Sequence, residues 1–249
     1  MHNVTLNVAR ILLVISAVSI LSSAAMTQSL QAGGGVGYFS PSGDFGGSTV
    51  DYYAGTKYGF SGGLNLHAKA RIDILVLNVV AEVGYTSVSN SGDSEPGQGK
   101  VEISQKILSF KIGPEYRLSL PALPLTPYFG VHVALNRFSG ETQFNGVSKV
   151  SSGTFTVKSA TRIGVGAGGG AVFKINPVMS LDIGVSYNLM NIAGRLWEDQ
   201  DPTKDQRIDS YTSLNDEKDP VALNANEHFV GSARSISSFQ VTATLLLGI

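Results

Sequence analysis

The sequence predicts an all-β protein in which eight antiparallel strands close into a transmembrane β-barrel with short periplasmic turns and long extracellular loops. Three observations support this prediction. Apolar and polar residues alternate with period two along eight segments, charged residues keep to one phase of that alternation, and long and short connections follow each other in turn. An export signal at the start of the chain fits a location in the bacterial outer membrane.

Composition narrows the class of protein. Charged residues make up 15% of the 249-residue chain, against roughly 25% in an ordinary soluble domain. The net charge of −1 predicts no nucleic-acid partner, because nucleic-acid-binding domains carry a basic surface. The sequence has no cysteine, which excludes a disulfide framework, a thiolate metal site and a lipidated N-terminal cysteine.

The first residues have the layout of a secretory signal peptide. Arg10 precedes a short apolar run over 11–21, and small residues follow at 22–25. A retained anchor is the alternative, but a helix that crosses a bilayer needs about 20 apolar residues. We therefore predict a cleaved signal peptide over 1–25 and an outer-membrane barrel domain over 26–249.

Charged residues decide which face of each strand meets lipid. In the last segment Phe239, Val241 and Ala243 alternate with Gln240 and Thr242, and the other segments behave alike. The polar phase contains most strand charges, namely Lys69, Glu82, Lys111, Glu115, Arg117, Lys174 and Asp182. A Lys or Arg side chain that faces lipid near the midplane costs about 2–4 kcal/mol. We therefore predict that the polar phase faces the lumen and the apolar phase faces lipid. Lys106 and Arg137 depart from it and are expected at strand ends, where their side chains can snorkel.

The connections and aromatic residues give independent support. Long connections are predicted near 41–57, 89–100, 139–154 and 193–233, and short turns near 73, 121–127 and 176–177. Aromatic residues are expected at both membrane interfaces, with Tyr116, Phe129 and Phe173 on the periplasmic side and Tyr38, Phe60, Tyr85 and Tyr187 on the outer side. A soluble lipocalin-like barrel is the alternative fold, but it would place many charges on the outer face.

Two segments carry a resemblance to a known family. The residues GVGAGGGAVFKINPVMSLDIGVSYN at 164–188 and PYFGVHVALNRF at 127–138 resemble the OmpA/OmpX-like eight-stranded outer-membrane β-barrel domain family. The resemblance implies the barrel fold for the whole mature chain. The terminal Ile249 departs from the aromatic residue common at that position in the family. A cell-wall anchoring role does not carry over, because no peptidoglycan-binding domain follows.

The inward ionisable residues form the first candidate site. An eight-stranded barrel is just wide enough for side chains to fill its interior. We predict a polar network in the lumen that consists of His67, Lys69, Glu82, Lys111, Glu115, Arg117, His132 and Asp182. Because the set has both signs of charge, it favours an interior ion-pair network over a narrow ion path.

Other motifs point to no chemistry. Residues 164–169 match the G-x-G-x-x-G pattern, but a strand follows where a dinucleotide site needs a helix, so we interpret these glycines as small inward residues. No histidine has the serine and acidic neighbours of a lipid-modifying enzyme or the close spacing of a metal site. We predict no catalytic residue, no metal and no cofactor.

The last connection is the second candidate site. It is rich in acidic residues and contains the single tryptophan, and its interaction candidates are Trp197, Asp199, Asp201 and Asp205. The preferred hypothesis is a non-enzymatic protein with a structural or surface-interaction role through its extracellular loops. The alternatives are a narrow channel for small or hydrophobic solutes and, third, a lipid-modifying enzyme. Expected partners are outer-membrane lipid and lipopolysaccharide, the barrel-assembly machinery during insertion, and a surface partner bound through the last connection.

Overall fold

The computed structural model describes residues 30–74, 76–118, 124–148, 150–198, 209–219 and 230–248. The predicted signal peptide lies outside these residues. The strands are β1 (Leu30–Ser42), β2 (Gly63–Ile74), β3 (Leu77–Glu95), β4 (Gln98–Arg117), β5 (Leu125–Asn145), β6 (Gly153–Asn176), β7 (Met179–Ala193) and β8 (Ser237–Gly248). Two short helices, α1 (Thr49–Tyr53) and α2 (Asp209–Thr212), lie in the first and last long connections. None of the helices in the described ranges is long and apolar enough to cross a membrane.

The strands form one closed antiparallel barrel. Each strand pairs with its neighbour in sequence, and β1 pairs with β8 to close the ring, so the predicted fold is confirmed. Outward side chains such as Leu64, Leu66, Phe129 and Val131 are exposed around the ring, as expected of a lipid-facing band. At the end of the barrel where β1 begins, β6 and β7 are joined by a short turn at 177–178, next to the predicted position, whereas residue 73 continues β2 and residues 125–127 belong to β5. Residues 121–123 lie outside the described residues.

The opposite end differs from the sequence prediction. Residues 89–95, 98–100, 139–145 and 153–154 were expected in long connections but continue β3, β4, β5 and β6. A turn at 96–97 closes the β3–β4 hairpin, with Gly97 at a φ of 73°. The four strands therefore project beyond the lipid-facing band as an extended sheet, and the long connections that remain are 43–62 and 194–236.

The alternation changes phase where this projection begins. In β4 the apolar residues Leu108 and Phe110 face outward, whereas Ile103 and Ile107 face inward and are buried. The adjacent pair Ile107 and Leu108 marks the change. Beyond it the outward residues are mostly Ser, Thr, Glu and Gln, which water can solvate, while the inward face packs against the loops in the mouth of the barrel.

Lys106 and Arg137 lie at this boundary and not at strand ends. Lys106 is in the middle of β4 and Arg137 in the middle of β5, because both strands continue beyond the membrane. Both side chains are exposed on the outward face. The expectation that they end their strands was therefore wrong, although each lies just above the last outward leucine of its strand.

Candidate functional site: the lumen and its extracellular plug

A network of ion pairs fills the periplasmic half of the lumen. At its centre is Arg71, whose Nη2 donates to Glu115 Oε2 at 2.8 Å and to Asp182 Oδ2 at 3.0 Å. Asp182 also accepts hydrogen bonds from Lys69 Nζ at 3.2 Å and from Tyr128 Oη at 2.6 Å. Arg71 and Asp182 are both fully buried, so each depends on the other for compensation of its charge.

The network continues upward and downward from this centre. Lys111 Nζ donates to Glu82 Oε1 at 3.0 Å and to Gln240 Oε1 at 2.9 Å, and Lys69 lies 3.8 Å from Glu82. Toward the periplasm, Arg117 Nε donates to Glu115 Oε1 at 3.2 Å. The cations and carboxylates of the network match one to one, the cations being Lys69, Arg71, Lys111 and Arg117 and the carboxylates Asp73, Glu82, Glu115 and Asp182. Such a balance favours a stable plug over a selectivity ring of one sign.

Glycines on the inward face make room for the larger side chains. A Cβ at Gly170 or Gly184 would lie 2.7 or 2.6 Å from Tyr128 Oη, and one at Gly166 would lie 2.4 Å from His132 Nε2. The G-x-G-x-x-G residues lie within β6, and the strand continues to Asn176 without a helix. They therefore provide space for side chains and do not form a phosphate loop.

A cavity of about 90 Å³ remains beside these glycines. Its polar lining includes Lys111, Tyr128, His132 and Gln240. The cavity is polar and large enough for a few water molecules. It borders the ion-pair network directly, since Lys69, Glu82 and Glu115 also line it.

Each predicted lumen residue lies on the inward face. His67 Nδ1 is 2.9 Å from Asn65 Oδ1 and its Nε2 is 2.8 Å from Thr244 Oγ1, while His132 Nε2 is 3.0 Å from Asn188 Oδ1. Both histidines thus contact amide and hydroxyl groups in place of the carboxylate network. Lys174, which shares the polar phase, is exposed at the periplasmic end of β6.

The central residue of the network, Arg71, is not in the predicted set. It lies two positions after Lys69 in β2 and has the same inward phase. Extending the alternation by one period would have identified it. Tyr128 has the same inward phase as His132, but nothing in the sequence indicates that its hydroxyl donates to Asp182.

The extracellular half of the lumen is filled by an aromatic plug. The first connection, 43–62, turns inward through a 3₁₀ turn at Gly43–Phe45 and places Phe45 at 0% exposure against Phe60 and Tyr58, with ring centroids 5.0 and 5.6 Å apart. Phe138 contacts Phe45 from the barrel wall at 6.4 Å. The prediction that Phe60 lies at the outer membrane interface is wrong: β2 begins after it, and its side chain is buried in the plug.

Helix α1 completes this first layer of the plug. Ser48 forms a capping box with Asp51, which stabilises the short helix and, through the backbone N–H of Ser48, lowers the pKa of the Asp51 carboxyl. Tyr52 Oη lies 2.8 Å from Thr142 Oγ1 and Tyr53 Oη donates to Ser148 O at 2.8 Å. Burial raises the pKa of Tyr52 to about 12, so its phenol stays neutral at physiological pH.

The last connection forms the second layer. Tyr211, which is 2% exposed, packs on Tyr52 and Phe144 with ring centroids 5.2 and 4.9 Å apart, and its hydroxyl donates to Tyr53 O at 2.9 Å. Tyr58 Oη donates to Leu214 O at 2.8 Å. The first and last connections therefore fold onto each other inside the mouth of the barrel.

A buried polar cluster attaches the last connection to the barrel wall. Arg162 of β6 makes a bidentate pair with Asp216, with Nη2–Oδ1 at 2.7 Å and Nε–Oδ2 at 2.8 Å. Asn191 of β7 donates to Asp216 Oδ2 at 2.9 Å and accepts from Ile236 N through Oδ1 at 2.8 Å. The guanidinium of Arg234 lies 4.0 Å over the Tyr58 ring and donates to Asn215 O at 2.7 Å.

Of the predicted candidates of the last connection, the structure describes Trp197 alone, which is half-buried near the end of its segment. Asp199, Asp201 and Asp205 lie outside the described residues. Asp216 is one of nine acidic residues in this connection, and the local sequence does not distinguish this buried carboxylate from its neighbours. Within the described ranges, no group of three or more His, Asp or Glu side chains has the geometry to hold a metal ion.

The chain is similar to known proteins of the outer membrane. A family model described as "Outer membrane protein beta-barrel domain" matches residues 11–214. Neisserial surface protein A (NspA) is 17% identical, with a TM-score of 0.47 and coverage of 90% of this chain and 99% of that chain. OprG from Pseudomonas aeruginosa is 13% identical, with a TM-score of 0.48 and coverage of 89% and 95%.

A major outer membrane protein from Thermus thermophilus is 16% identical, with a TM-score of 0.46 and coverage of 90% and 100%. No curated protein matches the chain. The family match spans most of the sequence and includes β1 to β7, and the observed ring of strands has the outward apolar band that such a domain needs. The chain belongs to the outer membrane protein β-barrel domain family and is an integral protein of the bacterial outer membrane.

Proposed function

We propose that this protein is a non-enzymatic, non-conducting barrel that presents a rigid extracellular surface to a partner. The observation that carries the proposal is the double filling of the lumen. Matched ion pairs occupy its periplasmic half, and the aromatic residues of the first and last connections occupy its mouth. A solute could cross the lumen only if both the ion pairs and the aromatic rings moved apart. Separating buried ion pairs or packed aromatic rings is energetically costly.

The extended sheet of β3–β6 is the surface proposed to meet the partner. Its inward face packs on the plug through Ile103 and Phe144, which holds the projecting strands in place. Its outward face has a groove of about 510 Å³ lined by hydroxyl, amide and carboxylate side chains, among them Ser89, Glu102, Glu141 and Gln143. A rigid polar surface of this kind suits hydrogen-bonded recognition. The acidic residues at 199, 201 and 205 remain predicted contributors.

The closed lumen predicts electrical silence. The refolded protein in a planar bilayer is expected to show no steady conductance steps, because the buried ion pairs and aromatic rings of the described lumen would have to separate before an ion could pass. Folding of the same sample is checked by the gel-mobility difference between unheated and heated protein. Reproducible steps that change in Lys111→Gln but not in Lys174→Gln, whose parent side chain is exposed outside the lumen, would support the channel alternative and contradict the proposal.

Surface presentation is tested by cysteine labelling of intact cells, for which the cysteine-free sequence is a clean background. A membrane-impermeant maleimide is expected to label Gln143→Cys on the extended sheet of intact cells. Pro177→Cys in the β6–β7 turn is the matched control, because its exposed position is expected in the periplasm and should react only after the outer membrane is permeabilised. Labelling of both variants, or of neither, in intact cells would argue against an exposed platform.

A further inference from the structure

We propose that Lys106 and Arg137 form a seat for the phosphate group of a lipid A-type glycolipid in the outer leaflet. Lys106 of β4 is paired in register with Ser139 of β5, and Leu108 is paired with Arg137. The two cations are therefore diagonal neighbours on one face of the sheet, at about 7–8 Å between Cα atoms. Long flexible side chains from these positions can reach one phosphate together.

The height of the two residues fits the headgroup region. Below them the outward side chains are Leu108 and Leu135, which are 50% and 51% exposed and belong to the lipid-facing band. Above them the outward side chains are Ser104, Ser139 and the carboxylate Glu141, which is paired in register with Ser104. A cation at this boundary keeps its charge in the polar layer while its stem lies along apolar surface, so the cost of facing lipid is small.

Neither cation forms an ion pair within the part of the chain that the structure describes, although Glu141 is a second diagonal neighbour of Lys106. Outward cations further from the membrane are paired, as Lys100 is with Asp93 and Lys158 with Glu198. Among the described residues, neither Lys106 nor Arg137 has an ion pair. Neighbouring positions in the same rows supply outward hydroxyl groups, at Ser87 beside Lys106 and at Thr161 beside Arg137. The seat thus combines unpaired positive charge with hydroxyl groups.

This combination favours a phosphomonoester on a sugar. A phosphomonoester has a charge of about −1.5 to −2 at neutral pH, which matches two cations better than the single charge of a phosphodiester lipid does. The hydroxyl groups of Ser87 and Thr161 are suited to bond sugar oxygens. An outer-leaflet phosphoglycolipid supplies both groups at the height where the seat lies, whereas a soluble phosphate has no acyl chain to hold it there.

The wall below the seat offers a place for an acyl chain. A furrow of about 530 Å³ runs over β4–β7 and is lined by apolar side chains that include Ile112, Val131, Ala167 and Leu189. It begins near Val133, four residues below Arg137 on β5, which corresponds to about 13 Å of strand. An acyl chain attached to a sugar at the seat is long enough to enter the furrow.

The experiment measures binding of bisphosphorylated lipid A to the full refolded chain in detergent by native mass spectrometry. The double variant Lys106→Gln with Arg137→Gln is expected to bind lipid A about 10- to 30-fold more weakly, because each surface cation contributes about 1 kcal/mol to binding of an anionic lipid. The conservative variant Lys106→Arg with Arg137→Lys should retain binding.

Lys100→Gln is the matched control, since Lys100 lies on the same face of β4 but farther from the membrane, and its lipid A binding should stay within about two-fold of the parent. A phosphatidylglycerol competitor distinguishes a phosphomonoester seat from general attraction to anionic lipid. Unchanged lipid A binding by the double variant overturns the proposal, and so does displacement of lipid A by an equal amount of phosphatidylglycerol.

Discussion

Replacing Asp216 with asparagine is expected to release the last connection from the mouth of the barrel while the strands stay folded. The change leaves Arg162, only 4% exposed, without the carboxylate that it meets through two hydrogen bonds. Removing one partner of a buried ion pair costs about 3–5 kcal/mol of stability. We expect this loss to weaken the docking of residues 209–219 and 230–236 onto the barrel wall. Asp216 also accepts hydrogen bonds from Asn191 and from the backbone N–H of Leu196.

Hydrogen exchange measured by mass spectrometry tests this release. Peptides that cover 209–219 and 230–236 should exchange faster by two orders of magnitude or more in Asp216→Asn, as about 3 kcal/mol implies, while peptides from β2–β5 keep their protection. Lys158→Gln is the control, because it removes the exposed partner of the Lys158–Glu198 pair, which is worth about 0–1 kcal/mol, and leaves the hydrogen bond from Ser213 to Glu198 in place. Unchanged exchange over 209–219 in Asp216→Asn would show that the aromatic contacts alone hold the plug.

Replacing Arg71 with methionine is expected to destabilise the barrel itself. The methionine fills much of the same space but leaves Glu115 and Asp182 without the guanidinium that links them. Lys69 and Arg117 still contact these carboxylates, so part of the compensation survives. We expect a loss of about 3–5 kcal/mol in the free energy of unfolding, in the range found when one partner of a buried pair is removed.

The measurement is the urea midpoint of the refolded protein, followed by gel mobility of unheated samples. Lys174→Met, a charge removal at an exposed site near the same end of the barrel, should shift the midpoint little. Arg71→Lys should fall between the parent and Arg71→Met, since a lysine keeps the charge but lacks the fork that reaches two carboxylates. Equal midpoints for Arg71→Met and Lys174→Met would exclude a stabilising role for the network.

The barrel was predictable because the membrane imposes a strong rule on outward residues. Along β2 the exposed Leu64 and Leu66 alternate with the inward Asn65 and His67, and no other arrangement keeps Lys69 out of lipid. The same rule predicted the inward phase of the lumen residues. The rule does not predict which inward groups form hydrogen bonds or ion pairs with each other, because partners such as Lys111 and Gln240 come from distant parts of the sequence.

The projecting strands and the plug follow a different rule and were not predictable in the same way. Beyond the boundary at Ile107, apolar residues face inward and polar residues face outward. The alternation rule of the membrane-spanning part therefore does not identify the projecting part as strand, and polar residues such as Ser89 and Glu102 suggest a loop. Phe60 looks like an interface aromatic until its connection is known to fold inward. These positions depend on tertiary contacts, which a local pattern does not contain.

The pairing of β1 with β8 has a consequence for the order of assembly. Asp44 Oδ2 accepts a hydrogen bond from the backbone N–H of Ser235 at 2.8 Å, across 191 residues of sequence, and the two connections of the plug meet along this seam. Such distant contacts form late, because the chain must first be brought together by the intervening strands. We therefore expect the contacts between the two connections to form only after β1 has paired with β8, later than the aromatic contacts within the first connection.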